Sequence, residues 1–338
     1  MPIKTPVISV CIPTYNGAEF IAETIKSVLN QTYLDFEIVV SDDGSTDDTV
    51  KIIESFKDER ITKIDRLQRV GSESNWNHAV AIARGDLIKL LCQDDIIYEG
   101  CLASEVAALT NGDNSDCSFC FHTRDLVTAS GKYMWDPIRS DFPNRKYSLS
   151  DLLPQIVRSG GNPIGQPMAV TFRKQSFLKA GCFHGAFAID LDMWVSLLEV
   201  GNGLALGKVL SAFRVNSNSW GRELSNQQFE MMYDFNLRMR AKHPNIVTRL
   251  DSEKGRLKCL FAHGPVALPR VGCSETSYFV GYFNACGFSC KIICITAISS
   301  HLPNFRATCC SMPTSLKPQA SCKFRDATLV DSILAMTV

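Results

Sequence analysis

Apolar and polar positions alternate along the first 125 residues in a way that predicts strands and helices in turn. Short, largely β-branched runs predict strands at VISVCI (7–12), FEIVVS (36–41), RITKID (60–65) and DLIKLLC (86–92). Apolar side chains at helical spacing predict helices at 18–30, 45–56 and 75–85. This rhythm predicts an α/β fold with an open, mainly parallel sheet and helices on both faces. Ser45 or Thr46 is the expected N-cap of the second helix.

The pattern is less regular after residue 115. SDCSFCFH (115–122) and LSAFRVN (210–216) are typical of strands, whereas 97–108, 189–200 and 222–242 predict helices. We therefore expect a ligand-binding half at 1–125, a second half of the same domain at 126–250, and a tail at 251–338. The tail has a Cys-rich composition, with eight of the 14 cysteines in the last 80 residues, and predicts a helical or irregular C-terminal part.

Three interpretations of the tail stay open. The stretch 278–300 is apolar enough to suggest a membrane-spanning helix, although Lys291 near its middle argues against one. A poorly packed appendage and a shift of reading frame upstream of about residue 259 are the other two. Between Arg256 and Arg325 the only acidic residue is Glu275.

Composition and charge argue against a nucleic-acid-binding protein and against a secreted one. The chain is 45% hydrophobic, and its 35 basic residues balance 35 acidic ones, which argues against a nucleic-acid partner. The N-terminal apolar run is too short for a secretory signal, so we expect a cytoplasmic protein with reduced thiols. Cys117 and Cys120 form a C-x-x-C without a second pair at zinc-site spacing, which favours an ordinary strand.

Three polar stretches follow predicted strands: PTYN (13–16), DDGS (42–45) and QDD (93–95). Ligands bind outside the carboxyl ends of parallel strands, so the three stretches predict one site. A cluster of carboxylates there is costly unless a cation offsets it, and oxygen ligands suit Mg²⁺ or Mn²⁺ with a bound diphosphate. The alternative is that an Asp of QDD caps the helix at 97–108, and both can hold if one Asp caps and the other binds metal.

The other two stretches also have simpler interpretations. DDGS can be a capped turn, and Tyr15 can be a partly buried turn residue instead of a surface for a nucleobase. Glycine-rich dinucleotide and triphosphate fingerprints are absent from the sequence.

Together, IPTYNGAEFIAETIKSVLNQTY, EIVVSDDGSTDDT and NWNHAVAIARGDLIKLLCQDD resemble glycosyltransferase family 2, over about residues 7–245. The resemblance implies a GT-A fold, a nucleotide-diphosphate sugar donor, a divalent cation and inversion at the anomeric carbon. It assigns nucleotide-sugar contacts to Pro13, Tyr15, Asn16, Asp42, Asp43, Asn77, Arg84 and Asp94. It assigns the metal to Asp94 and Asp95.

The stretch AIDLDMWVSLLEVG (188–201) resembles the part of the family that carries the catalytic base, which points to Asp190. A sugar hydroxyl is a poor nucleophile, and a carboxylate within hydrogen-bond reach removes its proton. Asp190 and Asp192 point about 200° apart on a helix, so only one of them faces the site. Expected acceptor contacts are Asn162, Gln166, Asp192 and Trp194, although core packing is the favoured role of Trp194.

Two positions depart from the family pattern. Cys92 stands where many members have Asp, and Asn216 stands where a His often reaches the metal. These departures support an alternative, a non-catalytic nucleotide-sugar-binding protein. A nucleotidyltransferase ranks last, because PTYNGAEF is not a basic, glycine-rich loop. The resemblance implies a carbohydrate or lipid-linked acceptor in bacterial cell-surface polysaccharide assembly, and it allows peripheral contact with the inner face of the membrane.

Overall fold

The fold comes from a computed structural model, which describes residues 5–134, 141–185, 188–216 and 228–263. Within these ranges the strands form one sheet, in the order β3-β2-β1-β4-β9-β6-β10-β5, with β7 beside β6 and β8 beside β10. The strands are β1 (Ile8–Thr14), β2 (Phe36–Asp42), β3 (Ile61–Arg66), β4 (Leu87–Leu90), β5 (Ile96–Ile97), β6 (Cys117–Thr128), β7 (Tyr133–Met134), β8 (Lys146–Tyr147), β9 (Val170–Arg173) and β10 (Asn202–Val215).

The direction of the strands decides where polar loops gather. Strands β1 to β4 are mutually parallel, β9 is antiparallel to β4 and β6, and β10 is parallel to β6. Consequently β1, β2, β4, β6 and β10 all end at the same edge of the sheet. The mainly parallel sheet is confirmed, with antiparallel insertions at β5, β7, β8 and β9.

Helices cover both faces of the sheet, as predicted. They are α1 (Ile21–Leu29), α2 (Thr49–Ser55), α3 (Ser72–Ile82), α4 (Cys101–Thr110), α5 (Leu149–Ser159), α6 (Lys174–Lys179), α7 (Ile189–Val200), α8 (Gln228–Lys242) and α9 (Arg249–His263). Alternate residues of β1 enter different cores: Val10 and Ile12 pack with α1 and α4, and Cys11 packs on the side of α3 and α7. This alternation is the period-2 geometry of a strand buried on both faces.

Two predicted helix caps are wrong. Helix α2 begins at Thr49 after Asp48, because the hydroxyl of Ser45 instead donates to Asp42. Helix α4 begins at Cys101 after Gly100, because the short strand β5 intervenes. The Asp residues of QDD therefore do not cap α4, and the capping alternative for them is excluded.

The last described helix, α9, runs across residue 250, where the tail was expected to begin. It lies very close to α5, since a Cβ added at Gly255 would lie 1.9 Å from the carbonyl oxygen of Val157. In the described part of the chain, no helix is long and apolar enough to cross a membrane. The three interpretations of the tail, including the span at 278–300, concern residues outside the described ranges, and the division into halves stays a prediction.

Candidate active site

The loops after β1, β2 and β4 meet and are joined by hydrogen bonds, as their positions predicted. Asn16 accepts a bond from the backbone of Thr46 through Oδ1 (2.9 Å) and donates its own backbone N–H to Ser45 Oγ (2.9 Å). Gln93 bonds both the N–H and the carbonyl of Tyr15, at 2.8 and 2.9 Å. A Cβ at Gly17 would lie 2.3 Å from Gln93 Oε1, so the glycine makes room for this link.

Asp42 and Asp43 hold these loops in place with both oxygens of each carboxylate. Asp42 is fully buried and accepts bonds from the hydroxyls of Thr14 and Ser45 and from the N–H of Ser45. Asp43 accepts the backbone N–H groups of Val70 (2.6 Å) and Gly71 (3.0 Å). The predicted contact of Asp42 and Asp43 with a nucleobase stays a prediction. All four carboxylate oxygens already accept hydrogen bonds from the protein.

Tyr15 faces a residue that the sequence analysis missed. The guanidinium carbon of Arg69 lies 3.9 Å from the centre of the Tyr15 ring, the geometry of a cation–π contact. Arg69 is exposed on the loop that Asp43 fixes. The partly exposed ring of Tyr15 and the exposed guanidinium of Arg69 thus lie together beside the end of β1, where we predicted that a nucleobase stacks.

Asp94 and Asp95 lie side by side at the end of β4. Asp94 is partly exposed, and its Oδ2 accepts a bond from the amide of Asn216 (2.8 Å). Asp95 is fully buried: its Oδ1 accepts the N–H of Arg214 (3.1 Å), and its Oδ2 has no hydrogen-bond partner in the described part of the chain. Burial raises the pKa of Asp94, and burial together with the charge of Asp94 raises the pKa of Asp95 well above its usual range.

Two buried arginines partly offset these carboxylates. Arg214 donates to the carbonyl of Asp94 (2.9 Å) and to Glu23 (2.6 Å), so it pairs within the protein. Arg124 on β6 is 2% exposed, and its charge opposes the rise that burial causes in the pKa of Asp95 and of Asp190. Sequence reasoning missed Arg124, because Arg124 stands beside Asp125 in a stretch of β6 that also holds other polar residues.

The site fits a hard divalent cation by its donor set. Two adjacent carboxylates present oxygen atoms, and one of these, Asp95 Oδ2, is buried without a partner among the described residues. A cation would favour the ionised forms of Asp94 and Asp95, which burial otherwise opposes.

Asp190 lies in the first turn of α7, after Ala188 in a left-handed conformation (φ 52°). Its Oδ1 accepts the N–H of Leu191 (2.8 Å), and its Oδ2 accepts from the amide of Asn162 (2.9 Å). Burial raises its pKa to about 6, although both hydrogen bonds and the charge of Arg124 act in the opposite direction. Burial raises the pKa of the Cys92 thiol, and the nearby charges of Asp95, Asp94 and Asp190 raise it further. Asp190 is therefore a carboxylate with a pKa near neutrality beside the QDD loop.

Four predicted ligand contacts are corrected by their positions. Arg84 precedes β4 and pairs with Glu37 (2.7 Å), near the amino end of β2, so it lies at the opposite edge of the sheet. The amide of Asn77 bonds the backbone of Phe183 at 2.8 and 2.9 Å.

The other two corrections concern α7. Asp192 accepts two bonds from Arg238 of α8 (3.0 and 3.1 Å), on the side away from Asp190 as the helical spacing required. Trp194 is fully buried and donates to the carbonyl of Gly165 (2.9 Å), so it is a core residue.

Two further predicted ligand contacts, Pro13 and Gln166, differ in their surroundings. Pro13 is a buried residue inside β1. Gln166 follows the turn that holds Asn162, and its Oε1 is buried without a hydrogen-bond partner among the described residues. Gln166 stays a predicted acceptor contact.

A second group in the described ranges has ligand atoms at metal-like spacing: Cys101, Glu105 and His122, within 4.8 Å of one another. The ammonium of Lys89 bonds Glu105 and lies 3.4 Å from His122 Nε2. Burial opposes ionisation of Glu105, but the charges and hydrogen bonds of Lys89 and His122 together outweigh it and lower the pKa of Glu105 to about 2. Because Lys89 already supplies the positive charge, we interpret this group as a structural ion pair.

Comparisons with known proteins agree with the fold and the order of the motifs. S. aureus TarS 1-349 in complex with UDP-GlcNAc superimposes with a TM-score of 0.56 at 19% identity, covering 87% of this chain and 81% of that one. That likeness defines the fold as GT-A. The family model described as Glycosyl transferase family 2 matches residues 9–178, half of the chain, and the chain belongs to this family.

Curated relatives match parts of the chain. An uncharacterized protein of Mycobacterium tuberculosis is 32% identical over 203 residues, which are 57% of this chain and 62% of that protein. The GalNAc(5)-diNAcBac-PP-undecaprenol beta-1,3-glucosyltransferase of Campylobacter jejuni is 33% identical over 110 residues, 32% of this chain and 36% of its own length. The chain thus spans less than two thirds of either relative.

Proposed function

We propose that this protein is an inverting glycosyltransferase that moves a sugar from a nucleotide-diphosphate sugar to a carbohydrate or lipid-linked acceptor. The observation that carries the proposal is that Asp190, Asp94 and Asp95 all lie close enough to Cys92 for their charges to raise the pKa of its thiol. A base and a cation-binding pair are the two functions that this transfer needs from carboxylates.

Asp190 is the proposed general base. The acceptor hydroxyl attacks C1 of the donor sugar and forms the new C–O bond, while its proton passes to a carboxylate oxygen of Asp190. The bond between C1 and the diphosphate oxygen breaks, and the nucleoside diphosphate leaves with that electron pair. A single displacement of this kind inverts the anomeric carbon.

Asp94 and Asp95 are the proposed ligands of Mn²⁺ or Mg²⁺, and the amide of Asn216 stands beside Asp94. The cation supplies neutralisation of the charge that develops on the diphosphate. Asp94 is the better placed of the two for direct contact, because it is partly exposed whereas Asp95 is fully buried.

The class of acceptor and the cellular location are further parts of the proposal. The Campylobacter relative is named for a lipid-linked acceptor, which supports an acceptor of that class here. We propose a cytoplasmic protein that works at the inner face of the cell membrane in cell-surface polysaccharide assembly. Gln166, which follows the turn that holds Asn162, is the proposed acceptor contact. Tyr15 with Arg69 is the proposed surface for the nucleobase.

The pH dependence of turnover follows from Asp190. The base accepts a proton only when it is ionised, and its pKa is about 6. We therefore expect the rate to fall roughly tenfold per pH unit below about pH 6, and to level off above pH 7. Measuring nucleoside diphosphate release at pH 5–9 with saturating donor and metal checks this. A rate that rises as the pH falls would contradict the role of Asp190.

Metal removal gives a second prediction. EDTA should abolish the rise in melting temperature that a nucleotide sugar produces with Mn²⁺, because the diphosphate is then left beside uncompensated carboxylates. Asp94→Asn should raise the half-saturating Mn²⁺ concentration by at least about tenfold. Asp48→Asn is the control, since Asp48 is exposed and pairs only with the exposed Lys51 in the described contacts. Equal Mn²⁺ dependence of Asp94→Asn and wild type would contradict the assignment.

A further inference from the structure

We infer that Asn162 is the positioning residue for the catalytic base, holding the carboxylate of Asp190 in the orientation that receives the acceptor proton. The sequence assigned Asn162 to the acceptor, whereas its amide bonds Asp190 directly. This inference rests on the proposed function, in which Asp190 is the base.

The carboxylate of Asp190 is fixed at both oxygens. Asn162 Nδ2 donates to Oδ2 at 2.9 Å, and the N–H of Leu191 donates to Oδ1 at 2.8 Å. The second bond comes from the helix backbone and is set by α7. The first is therefore the bond that sets the rotation of the carboxylate plane, and it depends on a side chain from a different segment, 28 residues earlier.

Asn162 is itself held rigidly. Its Oδ1 accepts the N–H of Gly165 (3.0 Å), and its Nδ2 also donates to the carbonyl of Gly165 (2.9 Å). Trp194, one turn after Asp190 on α7, donates to the same carbonyl (2.9 Å). Gly165 has φ +114°, and a Cβ there would lie 2.8 Å from that of Ala169, so the turn requires glycine. The amide is thus pre-organised, which limits the entropy lost when it orients the base.

The titratable groups around Asp190 come from three elements. Arg124 faces it from β6, and Cys92, Asp94 and Asp95 lie in the loop after β4. Asp192 on the same helix is turned away to Arg238. The balance of burial against Leu191, Asn162 and Arg124 brings the pKa of Asp190 to about 6, and removing the Asn162 donor shifts it upward.

The test compares the pH profile of nucleoside diphosphate release in two variants of Asn162. The acid limb of the profile is the part in which the rate falls as the pH falls. Asn162→Ala should move this limb to higher pH by about one unit, since a hydrogen bond to a charged group is lost. Asn162→Asp keeps the size of the side chain and the acceptor for Gly165, but places a second carboxylate beside Asp190, so its limb should move further. Saturating Mn²⁺ keeps the titration of Asp94 and Asp95 out of the measured range.

Trp194→Phe is the matched control for the turn. It removes one bond to Gly165 without touching Asp190, so we expect a lower rate with the acid limb in its wild-type place. Thermal melting verifies that each variant is folded, and Asn162→Asp carries the test if Asn162→Ala unfolds.

The outcomes separate the two proposals. A limb that stays in place in folded Asn162 variants overturns the positioning role, and a raised KM for acceptor alone would return Asn162 to the acceptor site. A flat wild-type profile also overturns it. If Asp190→Asn keeps the wild-type rate, the proposed function fails first, whereas an inactive Asp190→Asn with an unmoved limb defeats this inference alone.

Discussion

Asp190→Asn is expected to lower the rate of sugar transfer by about 10²–10⁴-fold while the protein still binds its donor. The amide that replaces the carboxylate keeps its size and the acceptor for Leu191 but takes no proton. The measurement is kcat for nucleoside diphosphate release, together with the donor-induced shift in melting temperature.

The stability of this variant gives an internal control. The folded pKa of Asp190 is raised above the unfolded value, so near pH 7.5 ionisation of this group favours the unfolded chain. The neutral Asn relieves that effect, and the melting temperature should stay level or rise. Asp192→Asn is the matched control for activity, because Asp192 pairs with Arg238 away from the site. Equal losses in Asp190→Asn and Asp192→Asn would contradict the assignment of the base.

Glu105→Ala is expected to destabilise the fold by about 3–5 kcal/mol, the second large effect. Lys89 and Glu105 are both fully buried, and removing the carboxylate leaves the ammonium of Lys89 without its partner. The free energy of unfolding in urea, measured with a thiol reductant, gives the value. The double variant Lys89→Met with Glu105→Leu removes both charges and should recover most of the loss.

The pH dependence of this pair has a definite sign. The folded pKa of Glu105 is about 2, below its ordinary value of 4.5, so its contribution is complete above about pH 4.5 and disappears as the pH falls towards 2. Lys51→Ala, at an exposed pair, should leave the urea midpoint unchanged. A double variant as unstable as Glu105→Ala would show that the pair is not the cause.

The strands and helices were predictable from the sequence, because the local spacing of apolar residues decides them. The edge of the sheet that carries the site was also predictable. The stretches at residues 13, 42 and 93 met as expected, since parallel strands end together. The same rule contained a signal that went unused for Arg84: a residue just before a strand lies at the amino edge, opposite the site. Arg84 accordingly pairs with Glu37.

Partners distant in the chain were not predictable, because spacing does not reveal which side chains meet. The amide of Asn77 bonds a backbone 106 residues away, and the amide of Asn162 bonds Asp190. Helical geometry did predict that Asp190 and Asp192 point in different directions, but it did not predict which of them faces the site. That choice came from the family resemblance, and the contact of Asp192 with Arg238 agrees with it.

Release of nucleoside diphosphate from a panel of nucleotide sugars, with Mn²⁺ or with EDTA, is the measurement that decides whether the protein is a glycosyltransferase. We expect wild-type protein to release nucleoside diphosphate from one donor class, EDTA to stop the release, and a suitable acceptor to accelerate it. Metal-dependent binding of a donor, without release from any member of the panel over a wide range of acceptors, would contradict the enzyme. That result would instead support the non-catalytic nucleotide-sugar-binding protein that Cys92 and Asn216 suggested.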